Sequence, residues 1–108
     1  MGESMALFGV FSTHSPEACP LNNHANRLVG MKILDKMNAV KKKYKIKKIV
    51  GFYASVLEHQ FVIILDGQDA HDVEKMVIEV GLSKFNTLKI VPLNEFSQII
   101  QVWKGMQK

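Results

Sequence analysis

His14, Glu17, Cys19 and His24 fall within one short stretch, Ser12-Thr13-His14-Ser15-Pro16-Glu17-Ala18-Cys19-Pro20-Leu21-Asn22-Asn23-His24. Imidazole, carboxylate and thiolate side chains together suit zinc, copper or iron. The stretch holds the only cysteine of the chain, two of its four histidines and two of its three prolines. If Pro16 and Pro20 fold the loop back, His14, Cys19 and His24 converge as metal ligands, with Glu17 as a further ligand or a supporting acid. There is no Cys-x-x-Cys pair and no helical His-x-x-x-His, so the spacing places a site without naming its metal.

The same residues allow two other chemistries. With Pro20 as the first helical residue, Cys19 is the helix cap, where free backbone N–H groups and the helix dipole favour the thiolate and His14 serves as its acid/base partner. Alternatively a small-molecule pocket without a metal is polarised by His14, Asn22, Asn23 and His24, and the Tyr53 hydroxyl reaches it from a strand. A plain turn makes fewer demands: Asn22 and Asn23 satisfy free donors at a helix start, Cys19 fills space, and Tyr53 is packing. His59, in a hairpin turn, and His71, in the first turn of a helix, read as solvated.

The flanking elements explain why such a stretch stands where it does. Residues 6–12 are apolar and stop at polar residues, which predicts a first strand. After the loop, Leu21, Ala25, Leu28, Val29, Ile33, Leu34, Met37 and Val40 mark a long helix over about 20–43 with a broad apolar face. Residues 46–56 and 61–65 form a hairpin whose second arm, Phe61-Val62-Ile63-Ile64-Leu65, is apolar on both faces. Asp69 caps a helix carrying Val73, Met76, Val77 and Val80, which Gly81 ends. A fourth strand covers 86–91 and stops at Pro92. Asn94 caps a last helix with Phe96, Ile99, Ile100 and Trp103 on one stripe, which predicts that Trp103 anchors it.

The order β-α-β-β-α-β-α is an α+β, ferredoxin-like unit with an antiparallel sheet and a C-terminal helix. On this order, on the doubly apolar hairpin arm and on the terminal helix, the chain resembles the dimeric α/β-barrel superfamily. The phrase His14-Ser15-Pro16-Glu17-Ala18-Cys19-Pro20 is also similar to the opening of small uncharacterised microbial proteins of that type. The resemblance implies a homodimer formed through the sheets and a cavity. It also implies monooxygenase, isomerase or haem-enzyme activity, or plain ligand binding, as alternatives, so enzymatic activity stays open.

Size and composition bound these readings. At 108 residues, 47% apolar and 22% charged, the chain fits one domain over 5–108, with residues 1–4 outside the fold and Met5 as the natural start. No apolar run approaches the roughly 20 residues of a membrane-spanning helix. A lone cysteine makes no internal disulfide, so the expected location is cytoplasmic. The net charge of +4 gathers in Lys41-Lys42-Lys43-Tyr44-Lys45-Ile46-Lys47-Lys48. Lysines at a helix end complement its dipole, and without a stacking or reader motif nucleic acid is not the expected partner.

Overall fold

The computed structural model describes residues 6–107; the expectation about residues 1–4 and Met5 lies outside them. The elements are β1 (Ala6–Thr13), α1 (His24–Val40), β2 (Lys48–Ser55), β3 (Gln60–Gly67), α2 (Ala70–Glu79), a 3-10 turn (Leu82–Lys84), β4 (Thr87–Leu93) and α3 (Phe96–Met106). The sheet order is β2-β3-β1-β4 and every pairing is antiparallel. This is the ferredoxin-like α+β arrangement that the element order predicts. No helix among the described residues is long and apolar enough to cross a membrane.

Strand alternation sends Phe8 and Val10 of β1 and Ile63 and Leu65 of β3 to the helical side. There they meet Ile33 and Met37 of α1 and Val73, Met76 and Val77 of α2 in one buried cluster. The opposite residues, Leu7, Phe11, Val62, Ile64, Val91 and Leu93, lie on the other face and are only half-buried. α2 follows its sequence signals: the Asp69 carboxylate accepts from the His71 N–H at 3.1 Å, and Gly81 takes the left-handed conformation, φ 94°, that ends the helix. Where α1 passes into β2, the Lys43 ammonium lies 2.9 Å from Glu79 of α2, and the Tyr44 hydroxyl donates to the same carboxylate. These two hydrogen bonds, Tyr44 first, hold the Glu79 carboxyl below its ordinary range.

Several boundaries differ from expectation for local reasons. α1 begins at His24 and not near Pro20, because the Asn23 side chain accepts from the Asn26 N–H at 3.0 Å and is the cap. Its apolar face is narrower than predicted, since Leu28 and Leu34 are exposed. Pro92 does not stop β4. It pairs with Phe8 in an edge strand, where a missing N–H costs nothing if it faces outward. The cap of α3 is Glu95 and not Asn94, through a reciprocal capping box with Gln98.

The largest difference concerns α3, which contains no buried residue. Trp103 is 50% exposed and its main aromatic contact is Phe96 on the same helix, with ring centroids 5.7 Å apart. It therefore does not anchor the helix within one chain. The radius of gyration, 15.9 Å, exceeds the roughly 13 Å of a compact chain of this size, as an outlying helix requires.

Candidate functional site

Sheet register brings the site together. β1 and β3 pair up to Thr13 and Gln60, and β1 and β4 up to Thr13 and Thr87. His14 thus leaves the sheet between the residue before β3, His59, and the residue before β4, Asn86. The His14 N–H continues the ladder by donating to the His59 carbonyl at 3.1 Å. His59 itself has φ 53°, a left-handed conformation uncommon outside glycine and asparagine. It closes the hairpin turn with its ring against the protein and not in solvent: the His14 and His59 rings lie edge to face, centroids 5.8 Å apart.

Cys19 is delivered by a tight loop. Its N–H donates to the carbonyl of Ser15 at 3.0 Å, and the Ala18 N–H donates to the Ser15 hydroxyl at 3.1 Å. The Asn22 amide then donates to the Pro16 carbonyl at 2.7 Å and the Asn26 amide to the Ala18 carbonyl at 2.8 Å. These bonds turn the loop back onto the sheet end and leave Cys19 only 5% exposed. His14, Cys19 and His59 consequently offer three ligand atoms that all lie within 4.8 Å of one another.

The partners of His14 settle which of its nitrogens is free. Asn86 donates its amide N–H to the Leu82 carbonyl at 2.9 Å, so its oxygen is the atom that faces His14 Nδ1 at 2.8 Å. An oxygen acceptor requires Nδ1 to carry the proton, and Nε2 keeps the lone pair. Such an outer hydrogen bond is what orients histidine ligands in metal sites. On the other imidazole, His59 Nδ1 is buried and has no hydrogen-bond partner among the described residues. Phe61 and Phe85 flank His14 at 5.2 and 5.7 Å. A pocket of about 200 Å³ opens on the cluster, walled by Pro20, Leu21, Ala54, Val56 and Phe61.

The expected residues divide accordingly. His14 and Cys19 are in the cluster. Glu17 and His24 are exposed and outside it: Glu17 lies at the outer bend of the loop, and His24 on the first turn of α1 follows the cap. Asn23 satisfies a free donor at the helix start, as the plain-turn reading had it, whereas Asn22 donates to the Pro16 carbonyl and ties the loop; neither lines this pocket. Cys19 is not a helix cap, so the dipole that was expected to favour its thiolate acts at Asn23 instead. The Tyr53 ring lies across Gly51, where an added Cβ would collide with it, and is 61% exposed. His71 is exposed as expected.

His59 and Asn86 are the residues that the sequence reading missed. Both stand just before a strand that pairs with β1, and in the β-α-β-β-α-β order those strands flank β1 on either side. The end of β1 therefore faces both of their starts.

No family model matches the chain, and no curated protein matches it. Solved structures do resemble it, two of them as follows. One is a conserved protein of unknown function from Bacteroides thetaiotaomicron, described as a possible oxidoreductase, with a TM-score of 0.54 and 14% identity over 85% of this chain and 98% of that one. The other, an uncharacterised protein from Thermotoga maritima, has a TM-score of 0.43 and 14% identity over 84% of this chain and 100% of that one. At such identity the Bacteroides protein shares the fold with this chain, and the likeness extends no further.

Proposed function

We propose that the protein binds a transition metal ion through His14 Nε2, the Cys19 thiolate and a ring nitrogen of His59, with Asn86 orienting His14. The observation that carries this reading is the convergence of three borderline-to-soft donors within 4.8 Å. Tetrahedral zinc sets nitrogen and sulfur donors about 3.3–3.8 Å apart, so binding draws the side chains together by roughly 1 Å. Zinc fits this donor set best; copper and iron accept it too. Three protein ligands leave a fourth position for water or another molecule, the pattern of catalytic sites as opposed to closed structural ones. A reducing compartment such as the cytoplasm suits the reading, because it keeps Cys19 a thiol. A nucleophilic role for Cys19 has less support, given its burial and its distance from the helix start.

Titration of untagged, metal-free protein with zinc or cobalt tests the proposal. One equivalent should bind. His14→Gln, Cys19→Ser and His59→Gln should each weaken binding by more than about 100-fold, while His24→Gln and Glu17→Gln leave it intact. Equal binding by His59→Gln and the parent would overturn this ligand set.

The reading includes a homodimer paired through the open sheet face. Its support is the apolar row Leu7, Phe11, Val62, Ile64, Val91 and Leu93 together with the exposed apolar residues Phe96, Val102, Trp103 and Met106 of α3, both of which a second copy can cover. Light scattering at micromolar concentration should give the mass of two chains; a single-chain mass would contradict the pairing.

A further inference from the structure

A pocket of about 200 Å³ adjoins the cluster. This pocket shares Pro20, Ala54 and Phe61 with a second, longer groove of about 380 Å³ that runs between α1 and the edge strand β2. α1 sends Ile33 and Met37 into the core over β1 and β3, and the groove lies between the helix and β2. Gly30, Ile33 and Leu34 form one wall and Phe52 the other.

Gly30 bears on why the groove is there. It lies in the middle of α1, where glycine weakens a helix. A Cβ added to it would meet only Pro20 at 3.7 Å and Phe85 at 4.0 Å, which are ordinary contacts. Neither backbone conformation nor close packing demands glycine at this position, and the missing side chain leaves open the end of the groove that adjoins Pro20. Arg27 supplies the charge at that end. Its guanidinium donates from Nε to the Pro20 carbonyl at 2.9 Å and from Nη2 to the Leu21 carbonyl at 3.2 Å. Pro20 lines the pocket at the cluster as well as the groove, so the positive charge is held at the end of the groove that adjoins that pocket.

Resting on the metal reading above, we infer that the open coordination position takes the head of a small amphipathic organic acid whose apolar chain lies in the groove between α1 and β2. The metal and Arg27 complement the anionic or electron-rich head. Phe52, Phe61, Ile33 and Leu34 cover the chain. The two spaces together suit a ligand of modest size.

A homologous series of alkyl hydroxamates, from acetohydroxamate to decanohydroxamate, tests this on the cobalt-loaded protein, with the cobalt spectrum as readout. Each added methylene that is buried should tighten binding about fourfold, and the gain should cease once the groove is filled. Gly30→Leu should abolish the gain for the longer members while the cobalt spectrum before ligand addition stays as in the parent. Phe52→Ala, on the facing strand and outside the pocket at the cluster, removes cover from the chain and should lower the slope if the helix variant does not fold. A flat series on the cobalt-loaded parent overturns the inference and leaves the metal site standing, and so does a slope unaltered by both variants. If the parent takes up no cobalt, the metal reading itself fails and the inference falls with it.

Discussion

The loop end of the molecule and its C-terminal helix treat their side chains in opposite ways. Around Cys19, Asn22, Asn23, Asn26 and Asn86 each place an amide on a nearby backbone group, and the three candidate ligands are held by bonds that a single chain supplies. α3 has a sound capping box and a well-formed apolar stripe, yet Ile99 and Ile100 are only half-buried and Phe96 and Trp103 are exposed. A helix stripe of this kind forms because it has a surface to cover. The contrast is between a loop end whose side chains are tied down within one chain and a helix end whose apolar stripe one chain leaves uncovered; in the proposed dimer a second copy covers that stripe.

The largest expected effect falls on the complete end. Removing a ligand by Cys19→Ser or His59→Gln should lower zinc affinity by more than the 10–100-fold typical of outer hydrogen-bond partners, without a change in dimer mass. Asn86→Ala should fall within that 10–100-fold range, because His14 loses the acceptor that fixes its tautomer. Asn86→Asp, which keeps an acceptor oxygen, should restore most of the affinity; a plain structural role for Asn86 would show no such rescue. Both are read by competitive zinc titration, and unaltered affinity in Asn86→Ala would break the link between register and site.

Next comes the incomplete end. Trp103→Ala should weaken dimerisation by at least about 2 kcal/mol, roughly 30-fold, as central aromatic anchors do. It should leave zinc affinity unchanged, which sedimentation and metal titration on the same sample can establish. A variant that dimerises as the parent does would show that α3 is no part of the interface.

Much of this architecture is legible in the sequence. The helix α2 follows from Asp69, from Val73, Met76 and Val77, and from Gly81, and the doubly apolar β3 foretells a face that helices do not cover. Two of the three clustered residues, His14 and Cys19, are legible because the loop concentrates reactive residue types. His59 is not, for a physical reason. Hairpin turns are usually solvated, and only the left-handed backbone at His59, together with its place opposite His14, turns the ring inward. Glu17 and His24 misled because proximity in sequence is not proximity in a loop that Ser15, Asn22 and Asn26 have tied in one particular way. The exposed Trp103 shows the same limit, since an apolar stripe marks a face suited to docking but does not say what covers it.

Two smaller effects sharpen the comparison. Gly30→Ala should stabilise the protein by roughly 0.5–1 kcal/mol in thermal or denaturant unfolding, since the methyl group makes ordinary contacts; destabilisation would mean that the glycine is required by the helix and not by the groove. Smallest of all is the exposed Lys43–Tyr44–Glu79 group. The Tyr44 hydrogen bond and then Lys43 hold the Glu79 carboxyl below its ordinary range, so its contribution is present above the unfolded carboxylate value and is lost as pH falls through the folded one. Lys43 and Tyr44 are both raised, chiefly by their hydrogen bonds to Glu79, so their contribution is complete below their ordinary values and is lost as pH rises through the alkaline range. Glu79→Gln should therefore flatten the stability profile slightly at both extremes, and solvent screening keeps the change small.

X-ray absorption at the zinc edge of stoichiometrically loaded, untagged protein tests the central claim most directly. A site of His14, Cys19 and His59 predicts one sulfur at about 2.3 Å and two imidazole nitrogens at about 2.0–2.1 Å. The sulfur shell should be absent from Cys19→Ser, and one imidazole shell should be missing from His59→Gln. A first shell of oxygen and nitrogen with no sulfur in the parent would contradict the account.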